Sequence, residues 1–240
     1  MAADLTNRQI VAEMLDSLPA DDPHAIGSRR DLTWINTLMF QGAIMAGLLR
    51  AHMRKGQNRI LEIGSGDGAF MLSVSRRLGK IWTDVDLVLL DKVNLITPQR
   101  LADFAALGWH VETVINDVFA WVEKPDIGVF DVISANLFLH HFSDPDLQNL
   151  FTTLHQLAPV FVATEPRRNT IALGSTALLR AIGANDVTLH DAAASVRAGF
   201  RGAELSLLWP PGYTDQIDER GIGPFTHIFC VNNLPAGFSP

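Results

Sequence analysis

Two segments of this 240-residue chain combine residue types and spacings suited to chemistry. The first is Ile60-Leu61-Glu62-Ile63-Gly64-Ser65-Gly66-Asp67-Gly68. Glycines at alternate positions let a backbone turn sharply and let a ligand lie against it. A helix starting just beyond offers unpaired N–H groups and a positive dipole end to a carboxylate or phosphate. Such a turn alone serves several nucleotide classes. Here its G-x-G-x-G spacing differs from the G-x-G-x-x-G of dinucleotide dehydrogenases, and an acid, Glu62, precedes it. Asp91 lies 23 residues beyond Gly68 at the end of a second apolar run, where a carboxylate can accept both hydroxyls of a ribose. Asp117 ends a third run, placed to accept from an adenine amino group while a neighbouring backbone N–H meets a ring nitrogen. One Asp at a strand end is usually a turn or cap residue. Three acids at the right strand ends argue for an adenosyl ligand.

The second segment is Asn136-Leu137-Phe138-Leu139-His140-His141-Phe142-Ser143-Asp144. A histidine, with an ordinary pKa near ~6.5, can take a proton at neutral pH from an attacking hydroxyl. A phenol, at roughly pKa 10, is within reach of such a base, and an unactivated alkanol is not. The packing alternative is that one histidine, or both, only hydrogen-bonds at a helix start. Glu165-Pro166-Arg167-Arg168 ends a fifth apolar run. There Glu165 is a candidate at the acceptor, and Arg167 a forked donor set for a carboxylate or phenolate. No metal site is expected.

These segments need a frame that brings strand ends together. The runs Arg59–Ile63, Leu87–Asp91, Val111–Asn116, Val129–Ala135 and Val160–Glu165 are of strand length, with helix-compatible sequence between them. Five β-α units make a doubly wound, mostly parallel sheet, whose ligands bind beyond the carboxyl ends of the strands. Ala203–Leu208 and Thr226–Val231 are expected as two more strands, joined by a loop around Pro210-Pro211-Gly212. Before residue 57 apolar side chains recur at helical spacing, as Ile10, Val11, Met14, Leu15, Leu18 and as Ile35, Leu38, Met39, Ile44, Met45, Leu48, Leu49. Asp31 is a candidate cap for the second of these helices. The expected division is a helical lid over residues 1–56 and an α/β domain over 57–240. The lid offers Trp34, Met39 and Phe40 as substrate-binding walls, with Leu137 and Arg167 facing them from the sheet.

The glycine turn, Val88-Leu89-Leu90-Asp91, Asn116-Asp117-Val118 and Phe130-Asp131-Val132-Ile133-Ser134-Ala135-Asn136 together resemble the class I S-adenosylmethionine-dependent methyltransferases, from residue 57 to about 165, in family order and spacing. The resemblance implies S-adenosylmethionine as cofactor and a Rossmann-like, seven-stranded α/β sheet with its last strand antiparallel. It implies Glu62 near the cofactor's amino group, the Gly64–Gly68 backbone (Gly64, Ser65, Gly66, Asp67, Gly68) along its methionine part, Asp91 with Lys92 at the ribose, and Asp117 with Val118 at the adenine. Asn136 joins that set. The resemblance also favours the first histidine, His140, as the one facing the acceptor, beside His141.

Composition limits the acceptor. A formal charge of −7, with 26 acids against 19 Lys plus Arg, leaves no basic stripe for a nucleic-acid backbone. The single cysteine, Cys230, allows no internal disulfide and suits a reducing compartment. Acids interrupt the first apolar stretch, and no apolar run approaches the roughly 20 residues of a membrane span, so a cytoplasmic protein without membrane insertion is expected. The expectation is an O-methyltransferase of a small, largely apolar natural product with a phenolic or ring hydroxyl. Alternatives are carbon or nitrogen methylation, a nicotinamide-dependent oxidoreductase, and a non-catalytic binding protein of the same fold. A homodimer would use the N-terminal helices as readily as a pocket cover would.

Overall fold

A computed structural model describes residues 4–53, 58–79, 82–211 and 216–234. Strands β1 (Asn58–Ile63), β2 (Val85–Asp91), β3 (Trp109–Ile115), β4 (Val132–Asn136) and β5 (Val160–Pro166) are parallel, and each is followed by a helical segment. The sheet order is β3-β2-β1-β4-β5-β7-β6, in which β7 (Thr226–Asn232) runs antiparallel to both β5 and β6 (Gln216–Ile222). This is the expected seven-stranded, doubly wound α/β sheet with its last strand antiparallel. The chain reverses its direction of travel between β1 and β4, and a crevice opens at that point in sheets of this kind.

Alternation along the buried strands feeds two cores. Leu61, Ile63, Phe161 and Ala163 face one side, beneath Val118 and Trp121 of α6 (Val118–Val122) and Leu147 and Phe151 of α7 (Asp144–Leu157). Ile60, Val160 and Val162 face the other, beneath Met45 and Leu49 of α3 (Gln41–His52), Val74 and Leu78 of α4 (Ala69–Leu78), and Phe104 of α5 (Pro98–Ala105). Large side chains such as Trp109, Phe104, Phe151, Phe161 and Phe229 are fully buried, each worth roughly 1.5–3 kcal/mol of transfer free energy.

The N-terminal segment departs from the expected pair of helices. Only Met14–Ser17 (α1) is helical in the first stretch. The second stretch divides into α2 (Pro23–Leu38) and α3, bent by 62° at a break where Phe40 takes a left-handed φ of 56°. Asp22, not Asp31, caps α2 by accepting from His24 and Ala25. Asp31 sits buried in mid-helix and accepts from the Asn185 backbone N–H and the Thr188 hydroxyl at the start of α9 (Asp186–Ala198). Met45 belongs to the core under α3. The expected division at residues 56 and 57 lies outside the described residues.

Residues 203–208 are not a strand. They form successive turns in which Leu205 is buried and Leu207 is exposed, and the Glu219 carboxylate accepts the backbone N–H groups of Leu205 and Ser206. Glu219 belongs to β6, the actual edge strand, whose polar sequence Gln-Ile-Asp-Glu-Arg-Gly-Ile suits a solvated edge. Among the described residues no single helix is long and apolar enough to cross a membrane.

Candidate active site

The carboxyl ends of β1, β2, β3 and β4 surround a cavity of about 720 Å³, within the range of small-molecule sites. Every residue of the expected cofactor set lines it except Gly68, which occupies the N-cap position of α4 with φ 72°. Gly68 itself offers no side-chain cap, and of the first-turn N–H groups that of Ala69 is taken by Asp67 Oδ1.

Gly64 shows why its position excludes a side chain: its φ is +69°, and a Cβ there would stand 2.2 Å from the Phe138 ring. Gly66 has open space where a Cβ would point, and its N–H donates to Asp91 Oδ2 at 2.8 Å. Asp91 Oδ1 accepts from the Val93 N–H at 3.0 Å, leaving lone pairs on both oxygens, since a carboxylate offers about four acceptor sites. Asp117 caps α6 through Oδ1, accepting from Phe119 at 2.9 Å, so the cap function and a place on the cavity wall coexist. Asp67 is tied to the Ala69 N–H and to Arg100 at 3.1 Å.

Glu62 is the unusual member. Its side chain is buried, lines the cavity, and its Oε2 has no hydrogen-bond partner. Burial pushes its carboxyl up to about 8. A buried carboxyl with an orphaned oxygen beside a cavity is a ready partner for a cationic ligand group.

The second segment arranges its histidines unexpectedly. Leu137 takes a left-handed φ of 50°, and Leu139–His141 form a 3₁₀ turn. From beneath, Glu165 Oε1 accepts the N–H groups of Phe138 and Leu139 at 2.9 and 2.8 Å, and Oε2 meets His140 Nδ1 at 2.7 Å. His140 Nε2 lies 3.4 Å from Glu13 Oε1, contributed by the N-terminal strap. With both ring nitrogens engaged and the ring buried, His140 does not face the cavity; His141 does. Burial alone would lower the His140 pKa, but hydrogen bonds and charge from Glu13 and Glu165 override it and push it up to about 9. Burial and the charge of His140 lower His141. Burial would raise Glu165, yet the bond and charge from His140 hold it below the usual carboxylate range. A cation between two carboxylates therefore lies against a second histidine whose protonation it opposes, ring centroids 4.3 Å apart.

Glu165 thus shapes the loop and does not line the cavity. Arg167 is also displaced from its expected place: it donates to the Gly223 carbonyl on the β6–β7 hairpin and packs against Gly221. Trp34, Met39 and Phe40 lie off the cavity, and Phe40 is 70% exposed. Helical periodicity had marked a face of α2 without telling which one meets the sheet; the cavity side carries Arg29, Leu32, Thr33 and Asn36. Leu137 lines the cavity.

Sequence inspection missed the strap and the aromatic wall. Ile10, Val11 and Leu15 cover the cavity from above, and Phe138 and Phe142, edge to face at 5.0 Å, form one side. Arg8 anchors the strap, with 2.7 Å to Asp144 and a bond to the Phe142 carbonyl. Asp191 caps α1 through the Met14 and Leu15 N–H groups. The phenylalanines could have been found from their position after β4; the strap could not.

Neither a protein-family model nor a curated protein sequence matches the chain. Solved structures do. The chain is similar to a candidate O-methyltransferase from Nostoc punctiforme PCC 73102, with TM-score 0.57, 11% identity, 90% of this chain and 63% of that chain covered. It is similar to an O-methyltransferase family protein from Burkholderia thailandensis, with TM-score 0.60, 16% identity, and 97% and 66% covered. It is similar to the magnesium protoporphyrin IX methyltransferase of Synechocystis PCC 6803 with bound S-adenosylhomocysteine, with TM-score 0.51, 9% identity, and 92% and 91% covered. The chain spans less than two thirds of the length of the first two. It has the fold of these methyltransferases.

Proposed function

We propose that this protein is an S-adenosylmethionine-dependent methyltransferase whose acceptor is a small, largely apolar molecule with a phenolic or ring hydroxyl. The observation that carries the cofactor is Glu62, a buried carboxyl with an unpartnered oxygen at the wall of the cavity, on the same strand edge as Asp91 and Asp117. An α-ammonium group would satisfy that oxygen, Asp91 retains lone pairs for ribose hydroxyls, and the open side of Gly66 lets a ligand approach the backbone. S-adenosylmethionine, when bound, supplies an electrophilic methyl group on sulfur.

The chain's own part is to hold the acceptor in line and exclude water, an effect worth up to about 7–11 kcal/mol in well-oriented systems. Phe138, Phe142 and the strap residues Ile10, Val11 and Leu15 supply apolar walls. His141 is the imidazole that faces them, and its position suits accepting or orienting the acceptor proton. His140 and Glu165 position that turn from below.

The test is calorimetry with S-adenosylmethionine, S-adenosylhomocysteine and NADH, followed by methyl transfer to panels of phenols, amines and carboxylates. Micromolar binding of the first two and turnover on phenols is expected. Binding of NADH alone would replace the proposal with an oxidoreductase, and turnover confined to amines would move the methylated atom to nitrogen.

A further inference from the structure

Glu13, His140 and His141 come from parts of the chain 127 residues apart, yet each offers a ligand atom within 4.8 Å of the others. We propose that these three side chains form a binding site for a divalent transition-type cation, such as Zn²⁺, at the edge of the cavity. Imidazole and carboxylate together suit zinc-class ions better than magnesium or calcium, which prefer all-oxygen sets.

Ion binding displaces the His140 Nε2 proton to solvent, so affinity falls as pH falls, and the spacing of one pair then fits. Two ligands about 2.0–2.1 Å from a tetrahedral ion stand about 3.3 Å apart, and His140 Nε2 is 3.4 Å from Glu13 Oε1. A ring nitrogen of His141, within 4.8 Å of the other two ligand atoms, completes the set after a shift of at most about 1.5 Å, the difference from tetrahedral spacing.

The surroundings supply an independent second observation. Metal-binding histidines usually hand their other ring nitrogen to a carboxylate, which fixes the tautomer and the ring plane. Glu165 does this for His140 through Nδ1 at 2.7 Å and is itself held by the N–H groups of Phe138 and Leu139. Asp16 Oδ2 lies 3.7 Å from His141 Nδ1. The Ser195 hydroxyl donates to the ligating oxygen of Glu13. Three protein ligands leave a tetrahedral ion one open position, as in sites where an ion meets a bound molecule. Of the three, only His141 lines the cavity, so that position opens on its side. An ion there would polarise an acceptor oxygen, with His141 acting as ligand in place of proton acceptor; this use, though not the binding, rests on the methyl-transfer proposal.

The full chain is stripped with a chelator and titrated without S-adenosylmethionine, using Co²⁺ followed by its visible ligand-field absorption and Zn²⁺ followed by calorimetry. One ion per chain is expected. Glu13→Gln and His141→Ala should each weaken it by more than about 100-fold, and Ser195→Ala by roughly 10-fold, as for a group behind a ligand. Cys230→Ser should change nothing, although Cys230 Sγ lies 3.1 Å from His52 Nε2 in a separate thiol–imidazole pair. The absence of stoichiometric binding, binding unaltered in both Glu13→Gln and His141→Ala, or its loss in Cys230→Ser would each overturn the site. Failure of S-adenosylmethionine to bind would sink the methyl-transfer proposal and leave the ion site standing.

Discussion

The imidazole of His140 and the carboxylate of Glu165 meet at 2.7 Å with both side chains buried. Removing one member of a buried pair typically costs about 3–5 kcal/mol when the other charge is left uncompensated; Glu165→Gln leaves His140 with Glu13 at 3.4 Å, so the loss should lie toward the lower end of that range. Glu165→Gln also withdraws charge from three backbone N–H groups of the turn that carries His141. Urea denaturation should show a loss of this order. A loss below about 1 kcal/mol would mean that Glu165 carries little of the compensation of the His140 charge.

Glu62 gives the unliganded protein a defined pH dependence. Its folded-state pKa of about 8 lies above the ordinary 4.5. The fold therefore favours the protonated form, and this stabilisation, complete below about pH 4.5, is lost as pH rises through 8. Glu62→Gln is neutral throughout. Its stability advantage over the natural chain should grow between those limits by a few kcal/mol, roughly, and level off above them. A ligand ammonium would ionise Glu62, so S-adenosylmethionine binding at pH 7 should release close to one proton. Calorimetry in two buffers of different ionisation enthalpy checks this; equal heats, or equal release in Glu62→Gln, would contradict it.

Part of the cavity wall was legible in the sequence. Buried parallel strands read as short apolar runs, and their carboxyl ends carried Glu62, Asp91 and Asp117, all of which reach one cavity. The edge strand β6 was illegible because a solvated edge needs little apolar sequence, while Ala203–Leu208 had the composition of a strand but is folded around the Glu219 carboxylate. The choice between His140 and His141 was illegible for another reason. Adjacent residues differ in direction by about 120° in a 3₁₀ turn, and what turned His140 inward are two acids distant in sequence, Glu165 and Glu13.

Gly64 and Phe138 are packed so closely that their mutational effects should couple. Gly64→Ala places a Cβ where the Phe138 ring lies, on a backbone of φ +69° that costs a non-glycine residue about 1–2 kcal/mol. The total loss of stability should exceed that strain alone. In a Phe138→Ala background only the strain should remain, so a double-mutant cycle should give a coupling of at least about 0.5 kcal/mol. Additive effects would show that ring and turn are not in contact.

Asp91 holds the Gly66 N–H and, on the proposed reading, the ribose. Hydrogen bonds to a charged acceptor contribute about 1.5–3 kcal/mol each when the partner is otherwise left unpaired, so Asp91→Ala should weaken S-adenosylmethionine by roughly 100-fold or more. Part of that loss could come through the turn. Asp91→Asn separates the two contributions: its single carbonyl oxygen can still accept from Gly66 but no longer offers a charged acceptor to two hydroxyls. Its glycine turn should keep the natural amide exchange rates, while its cofactor affinity falls by at least about tenfold. Natural affinity in Asp91→Asn would confine Asp91 to holding Gly66 and would move the ribose elsewhere in the cavity.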